Sequence, residues 1–458
     1  MVLNRHQITT PDRVLILGMG ITGLSCVRFL HQRGTKLMVM DNRTAPPHVE
    51  QIRQLYPDIT VSTGGFDARL LAQVHSLVVS PGIDLRDPFI QNAKAQGKMI
   101  LGDIELFARH ANAPVVAITG SNGKSTVTTL VGQMAQQDGK KVCVGGNLGT
   151  AALDLLNEPA PDFYVLELSS FQLDTTDSLK AHAAVVLNLS EDHLDRYANP
   201  QEYYRSKLRV YHGCRHAVVN LDDVWLRQQP LAAATPIYFS LNPDATAPYK
   251  VASYRGQDYL WIKEQAYLPC EQIAIKGAHN IANSLAAVAL AQTMGVSDQA
   301  IQTTLRTFKG LAHRCQLVRV HRGVSWFNDS KGTNVGASIA AIEGMAKLAQ
   351  YRRVLLIAGG VGKGQDFKPL LAVAQRHLHG VILLGQAAGE ISQVLKDALP
   401  VWRVSDMAEA VQKVADRAQP QDAVLLSPAC ASFDQYRNYQ ERGAHFEQLV
   451  NGLNHGTA

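Results

Sequence analysis

The sequence predicts an α/β protein built from three groups of strand–helix units. Short runs rich in β-branched residues repeatedly precede stretches with helical character, which is typical of parallel sheets with crossover helices. At 458 residues the chain is too long for one ordinary core and fits two to four domains. Two glycine-rich turns, each between an expected strand and an expected helix, indicate nucleotide binding. We therefore expect domains at residues 1–102, 103–311 and 312–458.

The composition excludes several classes of protein. A formal net charge of +5 is small for this length, and no run of five basic residues occurs, so no nucleic-acid role is expected. No stretch of 18 apolar residues is present, so we expect no membrane insertion. The six cysteines are far apart and include no C-x-x-C pair, which argues against a zinc site or a disulfide framework. A cytoplasmic location is therefore predicted.

The first group of units contains a dinucleotide-type turn. Strands are predicted at Val14–Leu17, Lys36–Met40 and Leu77–Ser80, and Gly18-Met-Gly-Ile-Thr-Gly23 follows the first of them. Glycines in such a turn let backbone N–H groups approach a diphosphate at the helix N-terminus. Asp41 ends the second strand, where a ribose hydroxyl would be bound. The residues alone leave open an NAD-binding domain or a purely structural glycine turn.

The second group contains a P-loop variant. Thr119-Gly-Ser-Asn-Gly-Lys-Ser-Thr126 follows a strand and opens a helix, although Ile118 stands where the usual pattern has glycine. In such a loop the amides cradle phosphates, Lys124 reaches the β- and γ-phosphates, and the Ser125 hydroxyl binds Mg²⁺. The region from about 215 to 275 is less regular and is compatible with an antiparallel portion. Strands are predicted at Val115–Ile118, Val142–Val144, Tyr164–Leu168 and Ala184–Leu189.

Three further residues of this group have both a functional and a structural interpretation. Glu167 ends a strand beside the P-loop, a position that suits a metal-binding acid but also a structural ion pair. His193 follows another strand, and a lone histidine is more often structural. Lys207 lies on a predicted helix within 201–211, where the sequence by itself favours a solvated surface lysine.

Two nucleotide signatures in one chain need a joint explanation. A dehydrogenase has no use for a P-loop, and a simple ATPase has none for a second dinucleotide-type turn. One nucleotide is then the energy source and the other is part of the substrate. The third group completes the chain with strands predicted near Val324–Phe327, Val354–Ala358, Val381–Leu384 and Ala423–Leu426.

An ordered set of five motifs resembles the Mur ligase family over essentially the whole chain. The motifs are Ile118-Thr-Gly-Ser-Asn-Gly-Lys-Ser-Thr126, Leu166-Glu-Leu-Ser-Ser-Phe-Gln-Leu173, Glu191-Asp-His-Leu-Asp-Arg-Tyr197, Asn328-Asp-Ser-Lys331 and Ser427-Pro-Ala-Cys-Ala-Ser432. The resemblance implies an N-terminal Rossmann-like domain for a UDP-substrate, a central P-loop ATPase domain and a C-terminal Rossmann-like domain for an amino acid. Within this family the chain resembles the branch that adds D-glutamate. The Asp-Asn-Pro signature of the members that add later amino acids is absent, and the P-loop has Asn122 where the member that adds the first amino acid has histidine.

The resemblance assigns residues to four groups. Those expected around ATP are Gly120, Ser121, Asn122, Gly123, Lys124, Ser125, Thr126, His279, Asn280, Arg314, Asp329 and Lys331. Those expected around the UDP-substrate are Ile21, Thr22, Asp41, Asn42, Arg43, Ser80, Pro81, Gly82 and Asn147. Those expected around the amino acid are Thr333, Lys363, Ser432, Phe433 and Tyr439. Those expected to be catalytic or to bind metal are Lys124, Ser125, Glu167, His193 and Lys207. Asn42, Phe433 and Tyr439 depart from the residue types of the family pattern.

The resemblance also implies the reaction. An enzyme of this kind uses ATP and two Mg²⁺ ions to join D-glutamate to UDP-N-acetylmuramoyl-L-alanine through an acyl phosphate, in peptidoglycan precursor synthesis. Lys207 matches a lysine that carries a carbamate in relatives, and a monomer is expected. The alternatives are another Mur-type or folylpolyglutamate-type ligase with a different acceptor, a nucleotide-sensing protein without turnover, and an NAD dehydrogenase.

Overall fold

The computed structural model describes residues 13–229, 235–346 and 351–453, which form three sheets in chain order. Each sheet is mainly parallel and has helices packed on it, so the predicted α/β class is confirmed. Every predicted strand is present, with ends that differ from the prediction by at most three residues. Among the described residues, no helix combines the length and the apolar character needed to cross a membrane.

The first sheet has five parallel strands in the order β3-β2-β1-β4-β5. The order reverses between β1 and β4, and ligands bind outside the carboxyl ends of strands at such a switch point. The strands are β1 (Arg13–Leu17), β2 (Lys36–Asp41), β3 (Thr60–Thr63), β4 (Ser76–Val79) and β5 (Met99–Leu101). The helices are α1 (Ile21–His31), α2 (Val49–Leu55), α3 (Ala68–Leu71) and α4 (Pro88–Ala95), and α5 (Asp103–His110) leads into the second sheet.

The second sheet has nine strands in the order β14-β13-β12-β11-β10-β9-β6-β8-β7. Pairing is parallel from β7 to β12 and antiparallel among β12, β13 and β14, which confirms an antiparallel portion between 215 and 275. The strands are β6 (Val115–Thr119), β7 (Val142–Gly146), β8 (Phe163–Glu167), β9 (Ala183–Val186), β10 (His216–Asn220), β11 (Thr235–Ser240), β12 (Tyr249–Tyr254), β13 (Gln257–Ile262) and β14 (Gln265–Pro269). The helices are α6 (Lys124–Gln137), α7 (Ser170–Leu173), α8 (Pro200–Leu208), α9 (Val224–Arg227), α10 (Ala278–Thr293) and α11 (Asp298–Thr307).

The third sheet has six strands in the order β15-β16-β20-β17-β18-β19, and only the β15–β16 pair is antiparallel. Its strands are β15 (Gln316–His321), β16 (Val324–Asn328), β17 (Arg353–Gly359), β18 (Leu378–Leu384), β19 (Val401–Arg403) and β20 (Asp422–Leu426). Its helices are α12 (Val335–Ala346), α13 (Pro369–His377), α14 (Ala388–Leu395), α15 (Met407–Ala415) and α16 (Tyr439–Asn451).

A continuous core joins the first two sheets. Apolar residues of α1 and α5 pack in one cluster with residues of β6, β8 and the 3₁₀ segment Ala152–Asn157. An ion pair of 2.6 Å between Arg28 on α1 and Asp154 on that segment lies beside this contact. These contacts hold the carboxyl ends of the first sheet against the central sheet, so a ligand at the first switch point faces residues of the second sheet.

Candidate active site

The P-loop has the backbone that a phosphate cradle requires. Gly123, with φ of +85°, is the last residue before α6, and a Cβ there would lie 2.4 Å from Asn283 Oδ1. A side chain is therefore excluded both by the left-handed conformation and by the neighbouring helix α10. Lys124 Nζ donates to the carbonyl oxygens of Gly120 (2.8 Å) and Ser121 (3.0 Å), which keeps the ammonium at the mouth of the loop.

Glu167 lies beside this loop because of the strand register. It ends β8 and pairs with Ile118, the strand residue that precedes the P-loop. Asn147 Nδ2 donates to its Oε1 at 2.7 Å, whereas its Oε2 is buried without a hydrogen-bond partner. Burial alone would raise the pKa of Glu167, but the Lys124 ammonium, the Ser125 hydroxyl and the Asn147 amide hold the pKa below its ordinary value. The carboxylate is thus charged, with one oxygen free for a cation.

His193 is held as a neutral imidazole. Its backbone is left-handed, with φ of +57°, and its ring meets Phe171 edge-on at 4.8 Å between centroids. Burial, reinforced by the nearby lysines Lys363, Lys207 and Lys124 and opposed by the charge of Asp192, lowers the pKa of His193 to about 3. A neutral imidazole retains a nitrogen lone pair, which a metal ligand requires.

Lys207 is buried, contrary to what the sequence by itself favours. Its residue surface is 2% exposed, and its ammonium lies 4.6 Å from the centroid of the Tyr203 ring. On the same helix, α8, Glu202 and Arg205 are exposed, so Lys207 occupies the inward face. Burial, and then the like charge of Lys124, lower the pKa of Lys207 well below 10.5. The structure places this lysine in the interior of the site.

The side chains around Glu167 could hold Mg²⁺ only together with ligands that the protein itself does not supply. Glu167, His193, Lys207 and Ser125 all line one cavity of about 400 Å³. The orphaned Glu167 oxygen and the Ser125 hydroxyl are hard oxygen donors of the kind that Mg²⁺ prefers. Over the described ranges, no three His, Cys, Asp or Glu side chains converge as a metal cluster. Phosphate oxygens of a nucleotide would therefore complete the coordination, as is usual for this ion.

Residues of the third domain form part of the wall of the same cavity. The residues assigned to the amino acid all line it, namely Thr333, Lys363, Ser432, Phe433 and Tyr439. The Lys363 ammonium forms an ion pair with Asp192 Oδ1, and this pair, together with the hydrogen bond from Asn334, holds the pKa of Asp192 at about 2 although burial opposes it. Lys363 is thus held by a residue of the central domain, next to the position where a substrate carboxylate would bind.

A neighbouring cavity of about 280 Å³ lies on the other side of the P-loop. Arg314 Nη2 donates to Ser125 Oγ at 2.9 Å across the domain boundary. Burial raises the pKa of Asp329 to about 6 and lowers the pKa of Lys331 to about 8. Of the residues assigned to ATP, this cavity is lined by Asn122, Gly123, Thr126, His279, Asn280, Arg314, Asp329 and Lys331. Gly120 lines neither cavity and contributes its carbonyl to Lys124.

A third cavity, of about 610 Å³, lies at the switch point of the first sheet. It is lined by the assigned residues Ile21, Thr22, Asn42, Arg43, Ser80, Pro81, Gly82 and Asn147. Asp41 does not line it, because its buried carboxylate already accepts hydrogen bonds from the Met19 N–H (2.7 Å) and from Arg43 Nε (2.9 Å) and Nη2 (2.7 Å). Direct contact between Asp41 and a ribose stays a prediction, whereas its support of Arg43 is visible in the structure.

Sequence reasoning missed two residues that connect these cavities. Asn334 is 3% exposed and exchanges hydrogen bonds of 3.2 and 3.3 Å with Asn122, and it also donates to Asp192 at 3.1 Å. Arg196 donates to Ile83 O at 2.7 Å, across the boundary between the first two sheets. Arg196 lies within the motif Glu191–Tyr197 and Asn334 follows the motif Asn328–Lys331 by three residues, so these motifs were the available signal. Their roles could not be assigned from sequence, because their partners lie more than a hundred residues away.

Three family descriptions match successive parts of the chain. They are Mur ligase MurD-like, N-terminal domain, at residues 12–102; Mur ligase middle domain, at 118–291; and Mur ligase, glutamate ligase domain, at 313–430. A UDP-N-acetylmuramoylalanine–D-glutamate ligase from Pseudomonas putida is 48% identical over 96% of this chain and 97% of its own length. One from Marinobacter nauticus is 46% identical over 97% of this chain and 99% of its own length.

Solved structures of similar fold have low sequence identity. A pseudomurein peptide ligase type C from Methanothermus fervidus has a TM-score of 0.63 at 17% identity, covering 97% of this chain and 100% of its own. A UDP-N-acetylmuramate-alanine ligase from Thermotoga maritima has a TM-score of 0.61 at 16% identity, with coverages of 96% and 99%. At this level of identity the likeness extends to the three-domain fold.

Proposed function

Because the chain belongs to the Mur ligase family, we propose that it joins D-glutamate to UDP-N-acetylmuramoyl-L-alanine at the expense of ATP. It is an ATP-dependent ligase of peptidoglycan precursor synthesis. The two nucleotide signatures then have separate roles, since ATP supplies the energy and the uridine nucleotide is part of the acceptor. We expect it to act as a monomer in the cytoplasm, where its substrates are found.

One geometric observation carries the proposal. Asn147 lines both the cavity of the first sheet and the cavity beside the P-loop, so the two lie next to each other on either side of one side chain. A long substrate with a nucleotide at one end and a carboxylate at the other could therefore span them. At its reactive end the cavity also contains Lys363 and Ser432 of the third domain, which suit an incoming amino acid with two carboxylates.

The residues support chemistry by acyl phosphate. A carboxylate oxygen of the alanine attacks the γ-phosphorus of ATP, and the bond to the β–γ bridging oxygen breaks, which releases ADP. Lys124 and the loop N–H groups neutralise the charge that develops on the phosphates. Mg²⁺ bound at Glu167, His193 and Ser125 would add further charge neutralisation and would fix the phosphate geometry.

The second step joins the amino acid. The neutral amine of D-glutamate attacks the acyl carbon, the tetrahedral intermediate loses phosphate, and a proton leaves the new amide nitrogen. Lys363 and Ser432 would orient the glutamate carboxylates for this attack. The hydrogen bonds between Arg314 and Ser125 and between Asn334 and Asn122 hold the third domain against the P-loop, which would limit hydrolysis of the acyl phosphate by water.

We further propose that Lys207 carries a carbamate. A buried lysine with a lowered pKa has a neutral amine, which adds to CO₂ with loss of one proton and forms an anionic carbamate. The product has two oxygen atoms suited to Mg²⁺, whereas an ammonium at the same place would repel the cation. At about 4 Å and an effective dielectric near 20, that repulsion is about 8 kcal/mol for a divalent ion.

The function is tested by an amino-acid screen. Phosphate release is measured with ATP, Mg²⁺ and UDP-N-acetylmuramoyl-L-alanine in the presence of single amino acids. D-glutamate should give strong turnover, while L-glutamate and meso-diaminopimelate should not. Turnover with another acceptor would refute the assignment within the family, and ATP hydrolysis that ignores both substrates would favour a nucleotide sensor.

A further inference from the structure

The loop that carries His193 is anchored to the first domain by Arg196. Its guanidinium donates to Ile83 O at 2.7 Å and lies within 3.4 Å of the carbonyl oxygens of Pro81 and Gly82. Arg196 Nε also lies 3.5 Å from Asp84 Oδ2. One side chain of the central domain therefore contacts three consecutive carbonyl groups of the first domain.

Those carbonyl groups belong to a tight turn at the UDP-substrate cavity. The Ile83 N–H donates to Ser80 O at 2.9 Å and closes the turn, and Ser80, Pro81 and Gly82 all line the cavity. A planar guanidinium presents five donors in a fixed plane and can hold several carbonyl oxygens at set positions, whereas a lysine offers three donors from a single freely rotating ammonium. The conformation of this turn is thus linked directly to the position of Arg196.

The other end of the link is His193. The N–H groups of Arg196 and Tyr197 donate to His193 O at 2.9 and 3.2 Å, so the segment forms a single helical turn. The Arg196 guanidinium lies over the Phe171 ring, 4.4 Å from its centroid, and the same ring contacts the His193 ring edge-on with 4.8 Å between centroids. Any displacement of Arg196 would therefore move the imidazole through both backbone and ring contacts.

The same segment also reaches the helix of Lys207. The Tyr197 hydroxyl donates to Asp174 at 2.7 Å, and Ser206, which precedes Lys207, donates from its hydroxyl to Ser170 O at 2.8 Å. Tyr197 and Phe171 are stacked with 5.8 Å between ring centroids. The residues around the candidate metal site thus form one packed unit. Arg196 connects it to the first domain through its side chain, and the carbonyl oxygen of Asp195 adds a second contact by accepting a hydrogen bond from Arg86 Nη2 at 2.5 Å.

We infer that Arg196 is a positioning residue that couples binding of the UDP-substrate to binding of the magnesium nucleotide. The inference rests on the proposed function, because it assumes that the cavity beside the Ser80–Ile83 turn takes the UDP-substrate. When the substrate fixes this turn, Arg196 fixes the backbone of His193 and so orders the metal site. By linkage, the magnesium nucleotide must strengthen binding of the UDP-substrate by the same factor.

The coupling is measured by calorimetric titration without turnover. The probe is a non-hydrolysable ATP analogue with Mg²⁺, titrated with and without saturating UDP-N-acetylmuramoyl-L-alanine. The unmodified protein should bind the analogue at least about five-fold more tightly when the UDP-substrate is present, as for a typical allosteric coupling. In Arg196→Ala the coupling factor should fall most of the way to one, since only the contact between Arg86 and the Asp195 carbonyl then joins this loop to the first domain. Arg196→Lys, which keeps the charge, should show a smaller reduction. The Mg²⁺ concentration for half-maximal turnover should also rise in Arg196→Ala.

The matched control is Arg205→Ala, which removes an exposed arginine from the neighbouring helix α8 and should leave the coupling unchanged. Thermal melting followed by circular dichroism establishes whether each variant is folded. If Arg196→Ala does not fold, the coupling is measured in Arg196→Lys instead. Retention of the full coupling factor in the Arg196 variants, or absence of coupling in the unmodified protein, would overturn the inference. Failure of the UDP-substrate to bind at all would instead refute the proposed function.

Discussion

Asp103 should destabilise the folded protein at neutral pH. It is the first residue of α5, at the passage between the first two sheets, and it is 3% exposed. Gln172 Nε2 donates to its Oδ2 at 2.9 Å, while its Oδ1 is buried without a hydrogen-bond partner. Burial raises the pKa of Asp103 from 3.8 to about 6. A raised carboxyl pKa means that the folded state binds this proton more tightly than the unfolded state does.

The magnitude follows from this difference in pKa. At about 1.4 kcal/mol per pH unit, the shift from 3.8 to about 6 corresponds to about 3 kcal/mol of lost stability once the pH exceeds both values. The penalty is nearly absent below pH 3.8 and grows as the pH rises. Roughly 1.5 kcal/mol of it should develop between pH 5 and pH 8.

Asp103→Asn removes this titration while keeping an oxygen for Gln172. We expect the free energy of unfolding of the variant, relative to the unmodified protein, to increase by roughly 1.5 kcal/mol from pH 5 to pH 8. Urea unfolding followed by far-UV circular dichroism at several pH values measures this difference. Any cost of the new amide is independent of pH and shifts all values equally, so only the slope is diagnostic.

Glu105, on the same helix, is the matched control with the opposite sign. The N–H groups of Asp177 and Ser178 and the Arg109 guanidinium outweigh burial and hold the pKa of Glu105 below its ordinary value. Its contribution is almost fully present above about pH 5 and is lost as the pH falls below the ordinary carboxyl value of 4.5. Glu105→Gln should therefore destabilise the protein by nearly the same amount at pH 5 and at pH 8, and the cost should shrink below pH 4.5. A flat difference for Asp103→Asn across this range would refute the reasoning.

Three further predictions concern the site. In phosphate-release assays, Lys207→Ala should be nearly inactive and partly restored by acetate, whereas Lys207→Arg should be inactive and not restored. Full activity of the alanine variant without acetate would contradict the carbamate. Lys124→Ala should lose phosphoryl transfer yet keep its affinity for the UDP-substrate in calorimetric titration, while Asp41→Ala should lose that affinity more than its affinity for ATP. Asn334→Ala removes hydrogen bonds to Asn122 and Asp192 and the acceptor for the Ala337 N–H at the start of α12, so it should destabilise the protein by about 1–2 kcal/mol and also lower kcat. Thermal melting and phosphate-release assays measure the two effects, and an unchanged kcat in the folded variant would show that its bond to Asn122 does not matter for turnover.

Sequence reasoning succeeded where function depends on contiguous residues. The strand, turn and helix around Gly120–Ser125 are specified within a few residues, because the glycine dihedrals and the N-terminus of α6 are local properties. Glu167 was also located correctly at a strand end, since β-branched runs mark strands and parallel neighbours align their carboxyl ends. Several of the strands that were not predicted are short and lie at a sheet edge, such as β3 and β19, where few apolar residues are buried. β10 is different, because it lies in the middle of the second sheet with four buried residues and was nevertheless not predicted.

Tertiary packing decided the properties that depend on distant segments. The sequence pattern of α8 makes Lys207 look like a surface residue, and only packing against α7 and the P-loop buries it and lowers its pKa. In the same way, only the fold shows that the Asp41 carboxylate accepts hydrogen bonds from the Met19 N–H and from Arg43, while its contact with a ribose stays a prediction.

The sequence by itself thus determined the fold class, the family and the chemistry of each loop. It could not determine how Arg196 meets the Ser80–Ile83 turn or how Lys363 meets Asp192. Those contacts join residues separated by more than a hundred positions, and their geometry depends on how whole domains dock. Burial, which sets the pKa values of the site, is likewise a property of the assembled structure, because a side chain is desolvated only by neighbours that the fold brings to it.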